Sequence, residues 1–358
     1  MSSGECAAGA WPVCGGVGPR ESLPAGLVWP GRRGEPDGPS LWQARAGEWR
    51  PVGGGWWVPA SIEQSTEQCI VQAGARLPAY GAVTGWAALR WAGGRWFSGA
   101  DGGSVRPIPL ALGDLNSVRR HPQLAISREI LPPGTICRTR GLRLTSPLWS
   151  VAYEMRKART DTGAVVAFEM AAYEDFVSIA ELSSYVDSAL WVRQGVQRIR
   201  RLLPLLEENS WSPMEPIMRM VWRASGHGSP GVNRPVFNLN GTFVGTPDLF
   251  DPLAGVYGLY DGALHLAGAV RSQDVAKEAA YRDLGLEGAT MMAGDLRDTG
   301  AFLDRLEQAY ARAGRKPADD RRWLLREPDW WIPTWTVEMR RGLSAYDRSR
   351  VLRYRAAA

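Results

Sequence analysis

The chain has 358 residues, 45% of them hydrophobic and 22% charged, with a net charge of +5. That length predicts two or three domains of an ordinary soluble protein. No run approaches the roughly 18 apolar residues of a membrane span, and the start lacks the basic-then-apolar pattern of a signal peptide, so a cytoplasmic protein without membrane contact is expected.

Residues 1–40 are rich in Gly, Pro and Ser without apolar periodicity and predict a disordered or poorly packed arm. Residues 41–149 predict a mixed α/β region. It opens with two short β-like runs around Gly53-Gly-Gly55, which have the look of a wing in a small DNA-binding domain and equally of any hairpin. Helices are predicted at 61–77 and 84–91, the second carrying Trp86 and Trp91, which read as core rather than as stacking platforms for bases. Strands are predicted at 105–112, 124–130 and 135–144. Residues 150–207 predict a helical linker region.

From 208 to 315 the order is helix (from Ser212 to about Ala224), strands at 232–238, 242–250 and 255–260, helix 271–284, strand 288–293 and helix 298–313. This succession predicts an α/β sandwich with a central sheet. Residues 316–358 predict a Trp/Arg-rich extension. Its last part, 321–358, carries nine arginines against four acids, which equals the net charge of the whole chain. Such a segment can neutralise phosphates, or can be a solvated helix face. Trp330, Trp331 and Trp335 predict that it docks on the body of the protein.

The four cysteines form no C-x-x-C and only three histidines are present, so any metal would be held by oxygen. The stretch from Thr246 to His265 reads as two strands joined by a turn. It places acids at Asp248 and Asp261 and an imidazole at His265. Paired strand-borne carboxylates suit Mg²⁺, which takes one or two and leaves its remaining positions to water and phosphate. Asp251-Pro and Asp261-Gly are also ordinary turn chemistry. Asp248 calls for a reason of its own, since acids are depleted in strands. Glu215, in Ser212-Pro-Met-Glu215, reads as the acid of a capping box and as an additional acid aimed at the sheet edge.

Gly81-Ala-Val-Thr-Gly-Trp-Ala-Ala-Leu-Arg-Trp91, Glu208-Asn-Ser-Trp-Ser-Pro-Met-Glu215, Asn233-Arg-Pro-Val-Phe237, Gly245-Thr-Pro-Asp-Leu249 and Tyr260-Asp-Gly-Ala-Leu-His265 together carry a resemblance. From about residue 41 onward the chain resembles actinobacterial proteins related to the AbiEi-type antitoxins and described as transcriptional regulators. Their C-terminal part is similar to very-short-patch-repair endonucleases of the restriction-endonuclease-like PD-(D/E)XK superfamily. The resemblance implies DNA as a partner, a toxin as a possible protein partner, and a nuclease-like site at Glu215, Asp248, Asp261 and His265, with Mg²⁺ on Asp248 and Asp261 if it is active. The chain departs from the pattern at Leu259, where the family places Glu, and a Gly/Pro-rich arm stands where relatives carry a winged helix-turn-helix. The resulting expectation is a DNA-binding, antitoxin-like or regulatory protein with a degenerate nuclease site. The alternatives are an active Mg²⁺-dependent endonuclease and an interaction module that handles no nucleic acid.

Overall fold

The structure, a computed structural model, describes residues 23–101, 104–114, 118–262, 268–317, 320–353 and 355, with backbone alone at 101, 104 and 268–275. The architecture is mixed α+β, with several separate sheets and twelve α-helices among the described residues. The chain divides into two compact units, Met1–Pro204 and Leu205–Ala358. No described helix is long and apolar enough to cross a membrane.

The first unit begins with β1 (Gly31–Arg32), α1 (Leu41–Arg45), β2 (Trp49–Gly53) and β3 (Trp56–Pro59), whose strands form a sheet in the order β1-β3-β2. Residues 1–22 of the expected arm lie outside the described residues. Residues 23–40 are held at two points, although half of them are exposed: β1 pairs with β3, and Gln68 clamps Val28 by accepting its N–H and donating to its carbonyl. The expected wing-like hairpin forms because three consecutive glycines, Gly53 to Gly55, all take positive φ, which costs a Cβ-bearing residue sterically.

There follow α2 (Thr66–Gly74), β4 (Ala82–Val83), α3 (Gly85–Trp91), β5 (Ala100–Asp101), β6 (Ser104–Val105), β7 (Ile108–Ala111), β8 (Leu124–Ser127), β9 (Ile136–Thr139) and β10 (Leu142–Thr145). The single strand expected at 135–144 is in fact the β9–β10 hairpin, turned at Arg140 and Gly141, both at positive φ. A five-stranded mixed sheet runs β8-β7-β4-β10-β9. Trp86 and Trp91 are buried, their indoles donating to the carbonyls of Pro107 and Thr139, as core residues do. Helices α4 (Pro147–Lys157), α5 (Asp161–Tyr173), α6 (Ile179–Ser188) and α7 (Val196–Leu202) complete the unit. The stretch expected as a helical linker is therefore part of the first unit's core, through Trp149, Phe168, Leu182 and Ile199.

The second unit contains α8 (Met214–Ala224), β11 (Gly231–Val232), β12 (Val236–Phe237), β13 (Phe243–Gly245), β14 (Leu249–Asp251), β15 (Val256–Asp261), α9 (Gly268–Asp283), β16 (Glu287–Met292), α10 (Gly300–Ala313), α11 (Val337–Arg341) and α12 (Ala345–Val351). The strands expected at 232–238 and 242–250 are each broken in two. Pro235 and Pro247 interrupt them, since neither can donate to a ladder, and the fragments β12 and β13 form a separate two-stranded sheet. The main sheet runs β11-β14-β15-β16, with β15 and β16 parallel and its other pairs antiparallel.

Alternation along β15 divides the core between the two faces of this sheet. Val256 and Tyr260 join Met218 and Trp222 of α8 and Phe302 and Leu306 of α10 on one face. Tyr257 and Leu259 join Phe250, Tyr281 of α9 and Leu286 on the other. Helices thus cover both faces of the sheet, as the sandwich pattern predicts. The tryptophan-rich segment docks as expected. Trp331 stacks on Phe243 at 5.4 Å, Trp330 meets the edge of Phe237, and Arg234 lies over Trp335 at 4.4 Å.

Candidate functional site

The site builds from the first turn of α8 and the ends of β11, β14 and β15. Ser212 Oγ accepts the N–H of Met214 at 3.3 Å at the start of α8, but the reciprocal bond from the Ser212 amide to Glu215 that completes a capping box is replaced by one from the Trp211 amide. Glu215 is only 4% exposed, and its Oε2 accepts the backbone N–H of Trp211 at 2.7 Å and Nδ2 of Asn233 at 2.5 Å. The capping-box reading is therefore corrected, because the carboxylate closes the loop before the helix and reaches across to β11.

Asn233 follows β11 in the left-handed region, at φ 47°, a conformation in which Asn is one of the few tolerated side chains. Its Nδ2 also donates to the carbonyl of Asn209, at 2.8 Å, while Nδ2 of Asn209 donates to the carbonyls of Val232 and Asn233. Two carboxamides and a carboxyl thus tie the segment before α8 to the sheet. Asn233 Oδ1 is buried without a hydrogen-bond partner among the described residues.

Asp248 stands just before β14 and not inside a strand. Its backbone carbonyl accepts from the N–H of Asn233 at 3.0 Å and its Oδ2 accepts the N–H of Tyr260 at 2.7 Å. Burial, and secondly the nearby Asp248 carboxylate, push Glu215 well above the usual carboxylate range. The structure therefore brings Glu215 and Asp248 into electrostatic contact.

Leu259 sits level with Asp248, because the register pairs Leu249 with Gly258. It packs against the cluster of Phe250, Tyr257 and Tyr281, where an acid would be out of place. Asp261 ends β15 as an exposed residue paired in register with Met292. Residues 263–267, where the expected Asp261-Gly turn would run, lie outside the described residues. His265 lies outside the described residues.

Among the described residues, no three His, Cys, Asp or Glu side chains come together as a group able to hold a metal ion. Of the two carboxylates expected on Mg²⁺, Asp248 has its Oδ2 engaged by the Tyr260 amide and Asp261 is exposed at the strand end, while Leu259 between them offers no donor.

Tyr281 is a neighbour that sequence reasoning missed. It is 1% exposed, its hydroxyl has no hydrogen-bond partner among the described residues, and burial, the adjacent Tyr257 and the Asp248 charge all raise its pKa. A Cβ on Gly245 would meet that hydroxyl at 2.5 Å, so glycine is required there. Asn209, Asn233 and Tyr281 carried no spacing signal, since the contacts that join them depend on the sheet register.

The fold and site define an α+β protein with a buried carboxyl–carboxamide network at one end of a helix-covered sheet. No family model, curated protein or solved structure matches the chain.

Proposed function

We propose that this is a DNA-binding protein of antitoxin-like or regulatory type, in which a restriction-endonuclease-like unit persists as a scaffold with a degenerate site and a toxin-type protein is the partner. The observation that carries the reading is Leu259, packed in an apolar cluster at the position level with Asp248 while Glu215 is closed off as a structural acid. Fold alone would not separate a scaffold from an enzyme, because function resides in the site. The DNA-binding part of the reading is supported by Arg322, Arg326, Arg350 and Arg353 of the second unit, all exposed. Arg340, by contrast, is buried and donates to the carbonyl of Thr334, so part of the arginine-rich segment is structural.

A second reading, an active Mg²⁺-dependent endonuclease, is favoured by the electrostatic pairing of Glu215 with Asp248 at the sheet end. One experiment tests both. Purified protein and its Asp248→Ala variant are incubated with plasmid in Mg²⁺ or Mn²⁺, and DNA retention on filters is measured at two salt concentrations. The scaffold reading expects intact plasmid and retention that falls steeply with salt. Cleavage by the wild type and not by the variant overturns it in favour of the enzyme, and absence of retention at low salt overturns DNA binding itself.

A further inference from the structure

The first unit contains a cleft of about 980 Å³, far from electrically neutral. Arg120, Arg128, Lys157 and Arg193 line it together with His121, and among the described residues Glu129 is the one acid in the lining. That acid is already engaged, because its Oε2 lies 2.8 Å from Nη1 of Arg156, a guanidinium whose side chain is 1% exposed, and its Oε1 lies 3.9 Å from Nζ of Lys157. Among the described residues, Arg120 and Arg128 pair with no carboxylate, and both are exposed. Arg193 is held on the rim: its Nη2 donates to the carbonyl of Ile130 at 2.7 Å and its guanidinium lies 5.5 Å from the centre of the Trp149 ring. Several cations converging on one concavity repel each other unless an anion joins them, so an unneutralised set of this kind raises the local concentration of anionic ligands.

The rest of the lining is not cationic. Strand β8, at the edge of the five-stranded sheet, contributes Leu124 and Ile126 two residues apart, hence on one side of the strand, and Val192, 68% exposed, is a further apolar lining residue. Tyr153, 8% exposed, also lines the cleft, and burial pushes its phenol up to about 12, so it stays a neutral hydrogen-bond donor. The volume lies near the top of the ~300–1,000 Å³ range of ligand pockets. Cationic rim plus apolar wall is the pairing that a nucleotide requires: phosphate on one part, sugar and base on the other.

We infer that this cleft is a binding site for nucleoside phosphates, either as a free nucleotide or as consecutive residues of a single strand. It is separate from the DNA contact assigned above to the second unit. Arginine is suited to the task because its planar fork matches phosphate oxygens and keeps its charge at all relevant pH values.

The test is fluorescence anisotropy on the full chain with two probes, a labelled oligothymidylate of about six nucleotides and a labelled adenosine diphosphate. Three proteins are compared: the wild type, Arg120→Glu/Arg128→Glu, and a control of equal charge change, Arg33→Glu/Arg45→Glu, whose positions are exposed and do not line the cleft. Binding of either probe should weaken by roughly ten-fold or more in the cleft variant, with a shallower salt dependence, and change far less in the control. Tighter binding of the strand than of the diphosphate identifies a strand site, and the reverse a nucleotide site. Equal losses in cleft and control variants, no binding of either probe by the wild type at low salt, or displacement of the probe by oligoglutamate as readily as by unlabelled nucleotide would each overturn the assignment. Because Arg120 and Arg128 are exposed, both variants should keep the wild-type melting temperature. Loss of duplex retention by the second unit would leave this result untouched, so the two readings fail separately.

Discussion

Burial and the nearby Asp248 carboxylate raise Glu215 well above the usual carboxylate range, and that has a thermodynamic consequence. A group whose folded pKa is raised binds its proton more tightly in the native state than in the unfolded chain. Its contribution to stability is therefore fully present below the ordinary carboxylate value and is lost as pH rises through the raised folded value. Glu215→Gln keeps the neutral shape and removes the titration. The difference in melting temperature between variant and wild type should grow in the variant's favour as pH rises through that window. A difference that does not change with pH would show that Glu215 ionises freely. Glu287 works in the opposite sense, since Arg312 and Lys316 hold it below its usual range despite its burial, and comparing the two proteins cancels it. Leu259 gives the complementary test. Leu259→Glu puts a second carboxylate level with Asp248, which should lower stability without metal through lost apolar burial and like-charge repulsion. Millimolar Mg²⁺ should then raise the melting temperature of the variant and leave that of the wild type unmoved.

The hairpin of β14 and β15 is the element on which the site hangs. Asp251 does there what an Asp-Pro sequence predicts: its Oδ1 accepts the N–H groups of Leu253 and Ala254, both at 3.1 Å, and shapes the turn. It also makes a contact that no local pattern announces, its Oδ2 accepting the hydroxyl of Tyr310 on α10 at 2.9 Å. Burial and this hydrogen bond both raise the Tyr310 pKa and keep it a donor. Asp251→Ala should therefore cost about 1–3 kcal/mol in chemical denaturation, the expense of a partly buried donor and two turn amides left without their acceptor. A loss under half of that would show the contact to be dispensable. At this scale much of the second unit was legible, because helices α8 and α10 follow strong apolar periodicity. The broken strands on either side of Pro235 and Pro247 were not, because where a ladder ends depends on which neighbour its amides find.

Across the whole molecule, charge is the property with a measurable reach. If exposed arginines of the second unit neutralise duplex phosphates, each contact adds about 0.9 to the slope of log affinity against log salt. Replacing Arg322, Arg350 and Arg353 with alanine should then reduce the slope by about 2–3 and weaken duplex binding uniformly across sequences, as filter retention over a salt series would show. An unchanged slope would assign these arginines to the solvated surface. By itself the sequence determined the helix-and-strand succession between residues 208 and 315, apart from the two strands broken at proline, and the core role of Trp86 and Trp91, because periodicity and turn chemistry are local. Only the tertiary structure decided that Asn233 and Asn209 would seal Glu215, that Leu259 would lie level with Asp248, and that cations from three separate stretches of the first unit would meet in one cleft. Those juxtapositions arise from sheet register and helix packing, which join residues far apart in the chain.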